Sequence, residues 1–462
     1  MTNPLPYPAK TAERWTRREF ARVLALTAGA MALPAVPSAR AAPGAPAGRA
    51  RPRVAILTTR VQRQFHSLHF IGRLLEGYAW QGAWHRPPLA LASLYVDQFS
   101  DADLARDYAR RHNVVIYPTV AEALTLGGPS LAVDAVLIIG EHGQYPVNEK
   151  GQTLYPRHRW FKEVVRVFEA SGRAVPVFND KHLSTDWGEA RAMVAEARRL
   201  GFAFMAGSSL PVARRIPDLE LPLGAPLTES VCVCYGGVDS YDFHGLEAAQ
   251  CMSERRAGGE SGIRRVHALK GEAAWEWLDR QAGTRELALA ALARSHTTSA
   301  PHGYTYGPAT WEWLRRCGPD TVLYRVEHVD GFFTTLLLLR NNVDVAGLEL
   351  SRSRLINWQS HPVRDFNYAG RMRSGEIVSC NMYLCMSPWP FATSVSNFFN
   401  PQMHHVEQMV LTGREPYPVE RTLLTTGMLA AGVDSLYRGE PVATPDMGVA
   451  YLPAAASTYW RA

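Results

Sequence analysis

Between residues 53 and 207 the chain alternates short apolar runs with stretches whose apolar positions recur every three to four residues. The runs are Arg53–Leu57, Leu89–Val96, Val114–Tyr117, Asp134–Gly140, Val175–Phe178 and Phe202–Ala206. Each is too short for a helix and ends on glycine or polar residues, the mark of a strand buried on both faces. The helical stretches cover about 65–80, 102–111, 120–126, 160–170 and 187–200, with Gly172 placed to close the fourth. Strands and helices in this order predict a doubly wound parallel sheet.

After Gly207 the texture changes. Strands are expected at 229–235, 263–270, 344–350 and 377–384, and a hairpin at 321–340 around the Asp330-Gly331 turn. Helical stretches lie near 245–255, 273–279 and 285–294, and from 404 to 437 with a break at 413–418. The chain therefore reads as two α/β units: a parallel one over 53–207, and an α+β one on a mostly antiparallel open sheet over 208–462.

Ahead of residue 53 neither pattern holds. Thr16-Arg17-Arg18-Glu19-Phe20 is a twin-arginine pattern, an apolar run follows from Val23 to about Leu33, and Ala39-Arg40-Ala41 is a small-x-small cleavage site. Residues 1–41 are expected to be an export signal read by the twin-arginine translocase. Residues 42–52, rich in Ala, Pro and Gly, are expected to be a disordered linker. The mature protein is then periplasmic or extracellular.

This leader also explains the charge. The whole chain of 462 residues carries +6, but residues 1–53 hold nine basic residues against two acidic ones. The remainder is close to neutral, with no basic stripe for nucleic acid. None of the six cysteines has a zinc spacing, and Cys232 and Cys234 share one face of a strand. The neighbours His404 and His405 point about 100° apart on a helix. No metal site is expected.

The candidate chemistry sits after the fifth run. Asn179, Asp180, Lys181 and His182 follow Val175–Phe178 without interruption. In open α/β sheets ligands bind outside the carboxyl ends of the strands, so four polar side chains stand where such a fold reacts. Lysine is rare here: Lys181 is one of five, the others being Lys10, Lys150, Lys162 and Lys270. After the fourth run come Glu141, His142 and Tyr145, then an insertion over 146–159 that overhangs the same sheet end. Aromatics near later polar turns, Tyr304, Tyr306, Trp358 and Trp389, are candidates for stacking on a sugar face.

A strand ending in an acid-Lys pair, followed by an open antiparallel sheet, resembles the Gfo/Idh/MocA family of NAD(P)-dependent oxidoreductases. The resemblance covers roughly residues 53–440. It implies a Rossmann-like dinucleotide-binding domain, a carbohydrate or polyol substrate, a nicotinamide cofactor (NAD or NADP) and a homo-oligomer formed through the second sheet. The family's Glu-Lys-Pro is matched by Asp180-Lys181-His182. Its histidine at the start of the second domain's first helix is matched by His244, in Tyr241-Asp242-Phe243-His244. The implied catalytic residues are Lys181, His244 and Asp180. Asn179, His182, Tyr145 and Asp242 would contact substrate. Thr58, Thr59, Arg60, Asp97, Glu141 and His142 would face the cofactor.

The departures concern the cofactor. The family's Gly-x-Gly-x-x-Gly after the first strand is Thr58-Thr59-Arg60-Val61-Gln62-Arg63 here. Those glycines let a pyrophosphate approach the backbone. Asp97 ends the second strand where a ribose-binding acid belongs, but later than usual; it equally suits a helix N-terminus. Three readings follow: an exported carbohydrate or polyol oxidoreductase, a non-redox lyase or epimerase on the same fold, and a sugar-binding protein without cofactor.

Overall fold

The computed structural model describes residues 51–298, 310–340, 363–384 and 396–461. The first half contains β1 (Arg53–Thr58), α1 (His66–Glu76), β2 (Tyr78–Trp80), β3 (Ala83–His85), β4 (Ala90–Val96), α2 (Ala105–His112) and β5 (Val115–Tyr117). It continues with α3 (Val120–Thr125), β6 (Ala135–Ile139), α4 (Arg157–Ser171), β7 (Val177–Asp180), α5 (Trp187–Leu200) and β8 (Phe204–Gly207). Six of its strands form one sheet in the order β5-β4-β1-β6-β7-β8, every pair parallel. Alternate residues of β1 serve opposite layers. Ala55 and Leu57 pack with residues of α3, α4 and α5, and Val54 and Ile56 with residues of α1. The strand order runs outward in both directions from the neighbours β1 and β6, so their carboxyl ends open a crevice between diverging loops.

The second half contains β9 (Arg215–Ile216), β10 (Leu227–Tyr235), α6 (Tyr241–Ser253), β11 (Ile263–Lys270), α7 (Glu272–Asp279), α8 (Ala282–Leu292) and α9 (Trp311–Cys317). Then come β12 (Val322–His328), β13 (Phe333–Leu339), β14 (Phe366–Met372), β15 (Ile377–Met382), α10 (Phe399–Thr412), α11 (Glu420–Arg438) and β16 (Val442–Ala443). The eight-stranded sheet runs β16-β11-β12-β13-β10-β14-β15-β9 and is antiparallel except for β10 beside β13. The expected α/β class, with a parallel sheet and a mostly antiparallel one, is the observed one. Helix α10 lies against the first sheet, where Phe399 and Met403 join the Phe70 and Phe178 layer. Helix α11 contributes Leu424 and Met428 to the core of the second.

Several boundaries differ from expectation. The helix expected over 65–80 stops at Glu76, and Tyr78–His85 forms a small hairpin. Strand β7 runs through Asn179 and Asp180, so these two belong to the strand and not to the turn after it. Strand β14 was not anticipated. The strand expected at 344–350 and the four candidate sugar-stacking aromatics lie outside the described residues. No helix among the described residues is long and apolar enough to cross a membrane.

Candidate active site

The site is built at the carboxyl ends of β6 and β7. Strand β7 terminates because Lys181 takes a left-handed backbone, φ +67°, which breaks the extended run. Its N–H donates to the Gly207 carbonyl at 3.1 Å. The Asn179 amide donates to the carbonyls of Asp180, Lys181 and His182 at 3.1, 3.4 and 3.3 Å. Asn179 thus braces the turn. It is fully buried, a place for a buttress.

The turn aims Lys181 at two partners. Its Nζ lies 2.7 Å from Glu141 Oε2, just past β6, and 2.8 Å from His244 Nε2 in the first turn of α6. The lysine side chain is 14% exposed, so it faces a crevice without lying open. Burial pulls the Lys181 ammonium down to about 7; the Glu141 carboxylate beside it works the other way. Burial, then the lysine's charge, holds His244 well below the usual imidazole range, so its ring is the neutral acceptor for the lysine.

A third element reaches the same place. His66 opens α1, and its Nδ1 is 2.8 Å from Asp180 Oδ2 while its Nε2 is 3.2 Å from Glu141 Oε1. His142 Nε2 stands 2.8 Å from that same Glu141 oxygen. Burial pushes Asp180 up to about 7, with Arg157 and His142 pulling it back. The structure therefore brings Asp180, Lys181, Glu141, His142 and His244 into one cluster and adds His66, which sequence reasoning missed. The only signal was a histidine at the start of the first helix, which also reads as an ordinary helix-end residue.

Other expected site residues are placed as supports. His182 is buried; it accepts from Arg157 at 2.8 Å and meets the Ser184 carbonyl at 3.0 Å. Asp242 is fully buried at the start of α6, taking the N–H groups of Asp239, Ser240 and Phe243 and the Tyr324 hydroxyl, each at 2.9 Å. Thr58 and Thr59 have no exposed surface. The Arg60 carbonyl accepts from Ser67 at 2.5 Å. Tyr145 places its hydroxyl on Asp97.

No family model matches this sequence, and no protein of curated function matches it. Solved structures do resemble it. GenD2 from gentamicin A biosynthesis, in complex with NAD, is 14% identical with a TM-score of 0.50, over 85% of this chain and 96% of that one. Myo-inositol 2-dehydrogenase from Lactobacillus plantarum is 12% identical with a TM-score of 0.48, over 85% and 99%. The first likeness is one of fold: this chain has the two-sheet architecture of GenD2.

In this fold a dinucleotide would run from the β1–α1 turn past the end of β4. Here the turn after β1 has no glycine, and side-chain contacts tie it to the β6 exit. The Thr59 hydroxyl donates to the Glu141 carbonyl, joining the β1 turn to the β6 exit. The Phe65 ring stacks on His142 with centroids 4.1 Å apart. Both oxygens of Asp97 are taken, by the Tyr95 hydroxyl at 2.5 Å and the Tyr145 hydroxyl at 2.7 Å. The turn after β1 therefore lacks the glycine cradle that holds a pyrophosphate in this fold.

Proposed function

We propose that this chain is an exported enzyme that transforms a carbohydrate or polyol, with the Lys181–His244 pair as its acid–base centre. The observation that carries the reading is that pair itself. An amine and an imidazole from different halves of the chain meet at 2.8 Å, with a carboxylate at 2.7 Å on the amine's other side, in the crevice where doubly wound sheets bind ligands. A substrate hydroxyl beside Lys181 meets a group able to give or take a proton. His244 holds the lysine in place and shares its charge. Positioned proton transfer of this kind contributes about 10²- to 10⁴-fold in rate. The twin-arginine leader supports export.

Two reactions use such a pair. As an oxidoreductase the chain would use Lys181 to take the hydroxyl proton, and a nicotinamide would supply the hydride acceptor; the fold shared with the NAD complex of GenD2 supports this. An epimerase removes and returns a carbon-bound proton, and a lyase removes one while the neighbouring carbon loses its oxygen leaving group; neither needs net hydride transfer. The glycine-free turn after β1 favours the second for this chain. The test is titration with NADH and NADPH, followed by fluorescence, beside deuterium uptake from D₂O into a panel of polyols and glycosides. Deuterium uptake without saturable nicotinamide binding supports proton transfer. Saturable binding, or nicotinamide carried through purification, makes the chain an oxidoreductase. Neither exchange nor turnover on any substrate leaves a sugar-binding protein and ends the acid–base reading.

A further inference from the structure

The cluster around His66 leaves two buried carboxylate oxygens without a hydrogen-bond partner among the described residues. His66 faces Asp180 with one ring nitrogen and Glu141 with the other, yet a neutral imidazole carries a single N–H. Glu141 Oε1 lies 3.2 Å from His66 and 2.8 Å from His142. Neither contact has hydrogen-bond geometry, and among the described residues this oxygen has no hydrogen-bond partner. Asp180 Oδ1 has none either, although Asp180 is 1% exposed and Glu141 7%. Two orphaned carboxylate oxygens in one buried cluster are costly. Glu141 turns its other oxygen to Lys181, which leaves Oε1 for something else.

We propose that His66, Glu141 and Asp180 bind a divalent transition-metal cation of the zinc or manganese class. One ligand atom from each lies within 4.8 Å of the others. In a zinc site with bonds of ~2.0–2.2 Å, tetrahedral ligands stand ~3.3–3.6 Å apart, so the widest pair would close by up to ~1.5 Å while the His66–Asp180 contact, now 2.8 Å, would open slightly. One imidazole with two carboxylates suits these ions better than magnesium or calcium, which prefer oxygen alone. The three ligands come from α1, the β6 exit and the end of β7, whose backbones are fixed by the sheet. Lys181 and His244 lie next to the cluster, so an open coordination position would polarise the oxygen of a substrate bound there. That role rests on the acid–base reading above; the binding does not.

The test is calorimetric titration of the full-length protein, dialysed against a chelator, with zinc and separately with manganese. One equivalent is expected to bind, and His66→Ala and Asp180→Asn to weaken it about tenfold or more. His85→Ala removes a half-buried histidine bound to Glu407, outside the cluster, and should leave affinity unchanged. X-ray absorption of zinc-loaded wild type should show imidazole nitrogen and oxygen with no sulfur, and it decides the matter if the variants fail to fold. Absence of binding by wild type, sulfur ligation, or unchanged affinity in both variants overturns the site. These readouts need no substrate, so they fail independently of deuterium exchange.

Discussion

At the scale of the residue, Lys181 concentrates the argument. It is a non-glycine residue at φ +67°, a backbone L-residues avoid at some cost, kept because the turn aims the ammonium between Glu141 and His244. Lys181→Met should lower turnover about 10²- to 10³-fold on a polyol or glycoside, since a charged donor to a developing oxyanion is lost. It should also lower the melting temperature. Glu141 is 7% exposed, and breaking a buried pair from one side costs ~3 kcal/mol or more. The double variant Lys181→Met, Glu141→Gln should recover most of that stability and none of the activity. Full activity in the single variant would remove Lys181 from the chemistry. Much of this cluster was legible in the sequence, because Asp180 ends a strand, Lys181, Glu141 and His142 follow strands and His244 lies in the first turn of a helix. His66 was not. It meets Asp180 across 114 positions, and no local pattern records so distant a contact. Asp97 was legible as a strand-end acid, but not that two tyrosine hydroxyls already hold it.

At the scale of the element, the joint after β8 is tightest. Gly207 has φ +117°, and a Cβ there would stand 2.5 Å from Glu247 Oε2 and 2.7 Å from Thr422 Oγ1. Its carbonyl receives Lys181 N–H and the Gln402 amide, so the end of β8 joins the Lys181 turn to α6, α10 and α11. Gly207→Ala should cost ~3 kcal/mol or more and disturb the Lys181 turn, lowering both melting temperature and activity. Gly448→Ala, where nothing lies within 4 Å, should be silent; equal melting temperatures for the two variants would refute the account. Most strands were legible because they are uniformly apolar. Strand β14 was not: Phe366–Met372 carries Asn367, Gly370 and Arg371. The structure explains two of them. Asn367 is fully buried and bonded to Asp365 and Asn381. Gly370 lies where a Cβ would stand 2.6 Å from the Tyr368 hydroxyl. Partners supplied by neighbouring strands are invisible in a run read alone.

At the scale of the whole molecule, the leader and the buried polar network make separate claims. If the guanidinium pair of the leader is what the export machinery reads, Arg17→Lys with Arg18→Lys should hold the precursor in the cytoplasm, and normal export of that variant would end the localisation proposal. The network lies beneath the second sheet and was not legible at all. Arg421 from α11 binds Glu254 just past α6 at 2.9 Å. The Tyr451 hydroxyl joins Glu254 at 2.8 Å. Gln250 donates to both Tyr451 and Glu260, and Arg256 and His328 meet Glu260 at 3.0 Å each. Burial alone would raise the Glu260 carboxyl, but His328 and Arg256 outweigh it and hold it below the usual range. The unfolded chain therefore takes up this proton first, near pH ~4.3. The stability Glu260 contributes is complete above that pH and is lost as pH falls below it. Glu260→Gln should cost ~3 kcal/mol at pH 7, because buried Arg256 then keeps only the partly exposed Asp330 as a carboxylate partner. Its deficit against wild type should shrink as melting is followed down toward pH 3, where the wild-type carboxylate loses its advantage. A melting-temperature gap that stays constant from pH 7 to pH 3 would show that Glu260 is not held ionised by this network.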